Sequence, residues 1–147
     1  MNYIATAKYV NMLDPVSQGS GAYTADNVVD TAGYSYLTVV VSTGASAGMS
    51  ALKLQESDAS NMSGATDVSG TTIGTALDID GGTSTLPSAS DDEIHVINVD
   101  LRGKKRYVSF AATASGTTLT SVLGVLTRAA EATNVLADRG VNTMVDA

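Results

Sequence analysis

Short β-rich, apolar runs, each closed by a small flexible pair, recur along the chain and leave little room for helix. Residues 34–42 (YSYLTVVVS) are β-branched or aromatic almost throughout and apolar on both faces near the end, as a central strand should be. Residues 49–55 alternate, with Leu52 and Leu54 on one face and Lys53 and Gln55 on the other. Residues 73–79 align Ile73, Leu77 and Ile79. Residues 94–101 put Ile97, Val99 and Leu101 on one side, Ile94 and Val96 on the other. Residues 107–112 group Val108, Phe110 and Ala112, and residues 119–127 group Leu119, Leu123 and Val125. Between the runs lie Thr43-Gly44, Ser63-Gly64, Ser69-Gly70, Gly81-Gly82 and Ser115-Gly116, all turn formers. Adding weaker strands over residues 3–10 and near Val28-Val29 gives seven to nine strands. The expectation is an all-β chain: a single antiparallel β-sandwich, jelly-roll-like, over residues 1–128.

Residues 129–147 show no strand alternation and form an extended or partly helical C-terminal tail in this reading. Val135, Leu136, Val141, Met144 and Val145 make it too apolar for a purely solvated end. The tail either packs back on its own domain or lies on a neighbour, and contact with a neighbour is the preferred expectation. Residues 80–93 read as a long acidic loop.

Composition removes several function classes. Eight Lys and Arg against fifteen Asp and Glu give a net charge of −7, which argues against a general nucleic-acid binder. There is no Cys and one His, which excludes thiolate chemistry, Cys-ligated zinc and multi-histidine metal sites. Runs such as Val39-Val40-Val41 fall far short of the ~18 apolar residues that span a bilayer. Met1 to Lys8 lacks the basic start and apolar run of a signal peptide, so synthesis in the cytoplasm is expected.

The sharpest charged feature is Arg102-Gly103-Lys104-Lys105-Arg106, which holds half of all the positive charge. It suits an electrostatic contact with an acidic partner surface or with phosphate. It equally suits a solvated hairpin turn with Gly103 at positive φ, or a contact with carboxylates of the same molecule or oligomer. Asp78-Ile79-Asp80-Gly81-Gly82 places carboxylates at alternate positions, as a calcium loop does. It lacks a third ligand before the glycine and a Glu near the twelfth position, so a strand ending in an Asp-Gly turn is the plainer reading. No metal or cofactor is expected. His95 has no nucleophile set against it, and neither a nucleophile elbow nor a phosphate-binding glycine loop is present. No carboxylate pair stands out for glycoside hydrolysis. An enzyme is not expected.

Several motifs follow one another in an order that resembles a known group. Residues 36–58 (YLTVVVSTGASAGMSALKLQESD) are followed by Asp67-Val68-Ser69-Gly70 and by Val99-Asp100-Leu101-Arg102-Gly103-Lys104-Lys105-Arg106-Tyr107-Val108. Then come Phe110-Ala111-Ala112-Thr113-Ala114-Ser115-Gly116 and Gly124-Val125-Leu126-Thr127-Arg128. This order resembles small proteins encoded beside the major capsid protein in tailed bacteriophages and prophages, across most of residues 28–130. The resemblance implies a head decoration, or cement, protein: a β-sandwich, usually trimeric, on the outer surface of the virion shell. Its partners would be the major capsid protein and other copies of itself, with no nucleic acid and no membrane. Under it, Arg102, Lys104, Lys105 and Arg106 become candidate capsid or subunit contacts. Val135, Leu136, Val141 and Met144 become candidates for an arm over a neighbour. The alternative is a head-fibre or tail-associated host-attachment module, which would bind glycans; seven aromatics and no Trp count against it.

Overall fold

The structure is a computed structural model that describes residues 6–68, residues 92–130 and Gly140. Nine strands lie in these residues: β1 (Lys8–Gln18), β2 (Gly21–Thr24), β3 (Val29–Asp30), β4 (Tyr34–Ser46), β5 (Met49–Ser57), β6 (Thr66–Asp67), β7 (Glu93–Asp100), β8 (Tyr107–Ala114) and β9 (Thr118–Ala129). They form two antiparallel sheets packed face to face. One has the order β1-β9-β4-β7; the other has the order β2-β8-β5-β6, with β3 also pairing with β8.

That order defines a jelly roll. Leaving aside the two-residue β3, eight strands alternate between the sheets, with the exception of the β5–β6 hairpin. The first strand lies beside the last, and β2 lies beside β8. The fold is therefore a pair of long ribbons bent over the same core, as in double Greek-key sandwiches. The bends are fastened to each other: Ala47 N–H donates to the Thr117 carbonyl (3.0 Å), and Ser115 N–H to the Gly48 carbonyl (2.9 Å). The expected sandwich and its jelly-roll character are thus present.

Strand alternation builds the core. Leu37, Val39 and Val41 of β4 and Ile97 and Val99 of β7 point between the sheets from the first sheet. Leu52 and Leu54 of β5 and Val108, Phe110 and Ala112 of β8 meet them from the second. The outer strands depart from the sequence reading. β1 begins at Lys8 and runs on to Gln18, through Asp14 and Pro15. An edge strand tolerates a proline, and register shifts between Asn11 and Leu13 and between Leu13 and Val16 absorb it. The same irregularity lets the neighbours Met12 and Leu13 both turn inward. β2 and β6, which no sequence pattern marks, are four and two residues long.

The expected strand over residues 73–79 and nearly all of the acidic loop lie outside the described residues. So does the tail, except for Ala129 and Ala130 at the end of β9 and for Gly140. Gly140, at φ +69°, sits so close to Tyr9 of β1 that a Cβ there would overlap the Tyr9 carbonyl oxygen.

Candidate interaction surfaces

The basic segment is not a hairpin within one sheet. It crosses from β7 in the first sheet to β8 in the second. Its turn closes by Lys104 N–H donating to the Leu101 carbonyl (3.1 Å), with Gly103 at φ +74°. A β-carbon at that φ would be strained, which explains the glycine. The end of the crossing is tied down where the Arg106 carbonyl accepts from Thr31 N–H (3.0 Å) and Thr31 Oγ1 (2.7 Å).

Much of the positive charge here is committed to carboxylates of the same chain. Arg102 Nε donates to both Asp100 oxygens, at 3.0 and 2.9 Å. The Arg102 guanidinium, helped by the Arg102 backbone N–H, holds the Asp100 carboxyl down at about 2. Arg106 makes a two-point contact with Asp30 at 2.9 and 2.8 Å, which keeps Asp30 below the usual carboxylate range. Its guanidinium also lies 5.2 Å over the Tyr107 ring. Lys105 N–H donates to Glu56 (2.9 Å), and Lys105 Nζ lies 3.3 Å from Thr66 Oγ1. Lys104 makes no ion pair among the described residues. So Arg102 and Arg106 chiefly fasten the crossing, while the ammonium groups of Lys104 and Lys105 have no carboxylate partner among the described residues. Nearby, Lys53 and Gln55 hold Asp67 below its ordinary value by hydrogen bonds of 2.8 and 2.9 Å.

These three carboxylates set an acid response. Their folded-state values are depressed, so their contribution is present above the unfolded carboxyl value near ~4 and is lost as pH falls through each folded-state value, which for Asp100 is about 2. The urea midpoint is expected to be flat above about pH 5 and to fall below about pH 4, modestly, since all three groups are largely exposed. In the triple variant Asp30→Asn, Asp67→Asn, Asp100→Asn that decline should flatten. An unchanged slope would show that other groups carry it.

The second surface is the outer face of the β1-β9-β4-β7 sheet. Register places Leu123, Val40 and Val96 in one cross-strand row, with Asn11 at its end. Ser121, Ser42 and Ile94 form the row on one side of it; Val125, Thr38 and Asn98 form the row on the other. Ile94 is 69% exposed and Leu123 39%, and Val96, Leu119 and Val16 are likewise exposed. Beside Leu119, an open depression of about 290 Å³ is lined by Pro15, Val16, Ser42 and Gly44. Charged groups stay at the margins: Asp100 pairs with Arg102 and Arg128 lies 5.1 Å over the Tyr36 ring at one end, Asp92 lies beside Gly44 at the other, and Asp14 accepts a hydrogen bond from Asn11 on the β1 edge. Leu119, Leu123 and Val125, which share a face in the sequence, share the outer one. The inner face of β9 carries Thr118, Thr120, Val122, Gly124 and Leu126.

The other candidates separate. His95 points between the sheets, its Nε2 3.3 Å from Glu93 Oε2 and its side chain only 14% exposed. Asp78, Asp80 and the tail residues Val135, Leu136, Val141 and Met144 lie outside the described residues. Among the described residues no group of three His, Asp or Glu is placed to hold a metal ion. Tyr23 is turned into the core against Phe110, while Tyr36 faces outward. No protein-family model matches the chain, and no curated protein matches it.

Proposed function

We propose that the protein is a structural virion protein. It binds the outer surface of a bacteriophage capsid as a trimer and stabilises the shell as a decoration protein. The observation that carries the reading is the sheet face with Ile94, Val96, Leu119 and Leu123 exposed, suited to self-association, on a chain whose sequence otherwise resembles proteins encoded beside the major capsid protein. A decoration protein that acts as an oligomer needs such a face between its copies, and repeated copies on a symmetric shell multiply modest contacts. The D-L-R-G-K-K-R-Y segment, on which the resemblance partly rests, is a surface crossing with two lysines that form no ion pair among the described residues.

The test is saturable co-sedimentation with empty capsid shells. Lys104→Ala with Lys105→Ala is expected to lower occupancy, most clearly at low ionic strength, where exposed charges act over the longest range. Arg102→Ala should matter less, because its charge is already spent on Asp100. Occupancy unchanged by the lysine pair removes the crossing from the contact. Protein that stays in the supernatant and binds glycans would replace the reading with host attachment.

A further inference from the structure

We propose that the outer face of the β1-β9-β4-β7 sheet is covered by another copy of this chain. This rests on the self-association part of the reading above and is independent of capsid binding.

The face is unusual for one meant to meet water. An antiparallel sheet with one solvated side normally alternates apolar inward and polar outward. Here β7 puts Ile97 and Val99 inward and Ile94 and Val96 outward. β9 puts its leucines on both faces, Leu126 inward, Leu119 and Leu123 outward. On β9, β4 and β7 the three central rows, Ser121–Ser42–Ile94, Leu123–Val40–Val96 and Val125–Thr38–Asn98, contain no ionisable side chain; on the β1 edge they continue to Tyr9 and to Asn11, which donates to the Asp14 carboxylate. Their polar members are small, and Thr38 already spends its hydroxyl on Asn98 Oδ1 at 2.8 Å. An apolar centre with the Asp100, Arg102 and Arg128 charges at the rim is the anatomy of a protein–protein contact.

Two considerations select a second copy as the occupant. The first is charge. Each chain carries −7, so copies repel one another except where neither presents a charge, and the central rows of this face meet that condition. The second is area. Four strands about 4.8 Å apart and five side-chain rows about 6.8 Å apart span roughly 19 by 30 Å, or ~570 Å² on each copy. One such face and an equal area of the neighbouring copy bury about 1,100 Å², close to the smallest area that holds a specific contact together. The whole face is therefore needed, and one charge at its centre should be enough to break the contact.

The chain has no cysteine, so a single introduced thiol reports its own surroundings. Sedimentation of the full chain is expected to give a multiple of 14.9 kDa, and Leu123→Asp or Val96→Asp should give a monomer that keeps the strand signal of the folded domain. The thiol of Ser42→Cys, on the face, should label with maleimide roughly tenfold more slowly in concentrated than in dilute protein, by mass action. That of Ser60→Cys, exposed in the loop after β5, should label equally fast in both. A wild-type monomer at every concentration overturns the proposal. So does an oligomer that survives both aspartates with Ser42→Cys labelling unaffected by concentration. A wild-type monomer that loses shell binding in Leu123→Asp assigns the face to the shell protein instead, and also overturns it. Shell binding is read separately: an aspartate monomer that still pellets with shells, or an oligomer that never does, speaks only to the capsid reading.

Discussion

Phe110→Ala is expected to destabilise the domain by about 3–5 kcal/mol, read as a fall in the urea midpoint at unchanged slope. Phe110 is the largest fully buried side chain among the described residues and sits on β8, the strand on which most of the second sheet is built. β2 and β3 pair along one edge of β8 and β5 along the other, with Leu54 directly opposite Phe110. Tyr23 of β2 tilts against the ring at 50°, with centroids 6.2 Å apart. Its hydroxyl lies 3.4 Å from Thr120 Oγ1 in the opposite sheet. Emptying the Phe110 site leaves a cavity that two sheets locked by their ladders cannot close. Against a total stability of ~5–15 kcal/mol for an ordinary domain, that loss is large. Phe110→Leu, which keeps most of the volume, should cost less than about 1.5 kcal/mol. A small effect of Phe110→Ala would mean the sheets do not pack here as described.

The central strands were legible because their chemistry is local. In β4, β5 and β8 the period of two coincides with burial, so Leu52 with Leu54, and Val108 with Phe110, announce the core unaided. The edges were not. β2 and β6 exist because β8 and β5 offer them partners, and a strand of two or four residues has no period to detect. β9 defeated a reading of inside from outside: its leucines occupy both faces, and the inward set includes Thr118, Thr120 and Gly124. Only the neighbouring strands decide which side meets the core. The basic crossing was visible as charge, but its partners were not. Asp30 lies 76 residues before Arg106, and Glu56 lies 49 before Lys105. A pairing at that separation is a property of the jelly-roll order, not of either segment.

Gly124 and Met12 test that order from the opposite sheet. Gly124 lies inward at the middle of β9, between Val10 of β1 and Val39 of β4. A Cβ there would stand 3.1 Å from Met12 Sδ, 3.4 Å from Val29 Cγ2 and 3.5 Å from Leu37 Cδ1. Gly124→Ala crowds chiefly the flexible thioether, which can move aside, and the lost glycine freedom in the unfolded chain offsets part of that crowding. It should be close to neutral. Gly124→Val also pushes on the stiff Val29 and on Leu37, and is expected to cost about 1–3 kcal/mol by overpacking. Met12→Ala empties the same space from the other side and should cost about 2–5 kcal/mol. Combined, the valine enters the volume the methionine has left, so the double variant should be more stable than the sum of the two by ~0.5–3 kcal/mol. Such coupling requires β1 to carry Met12 across to β9, the first strand beside the last. Strict additivity in the denaturation midpoints would place the two residues apart and break the jelly-roll order at its outermost pair.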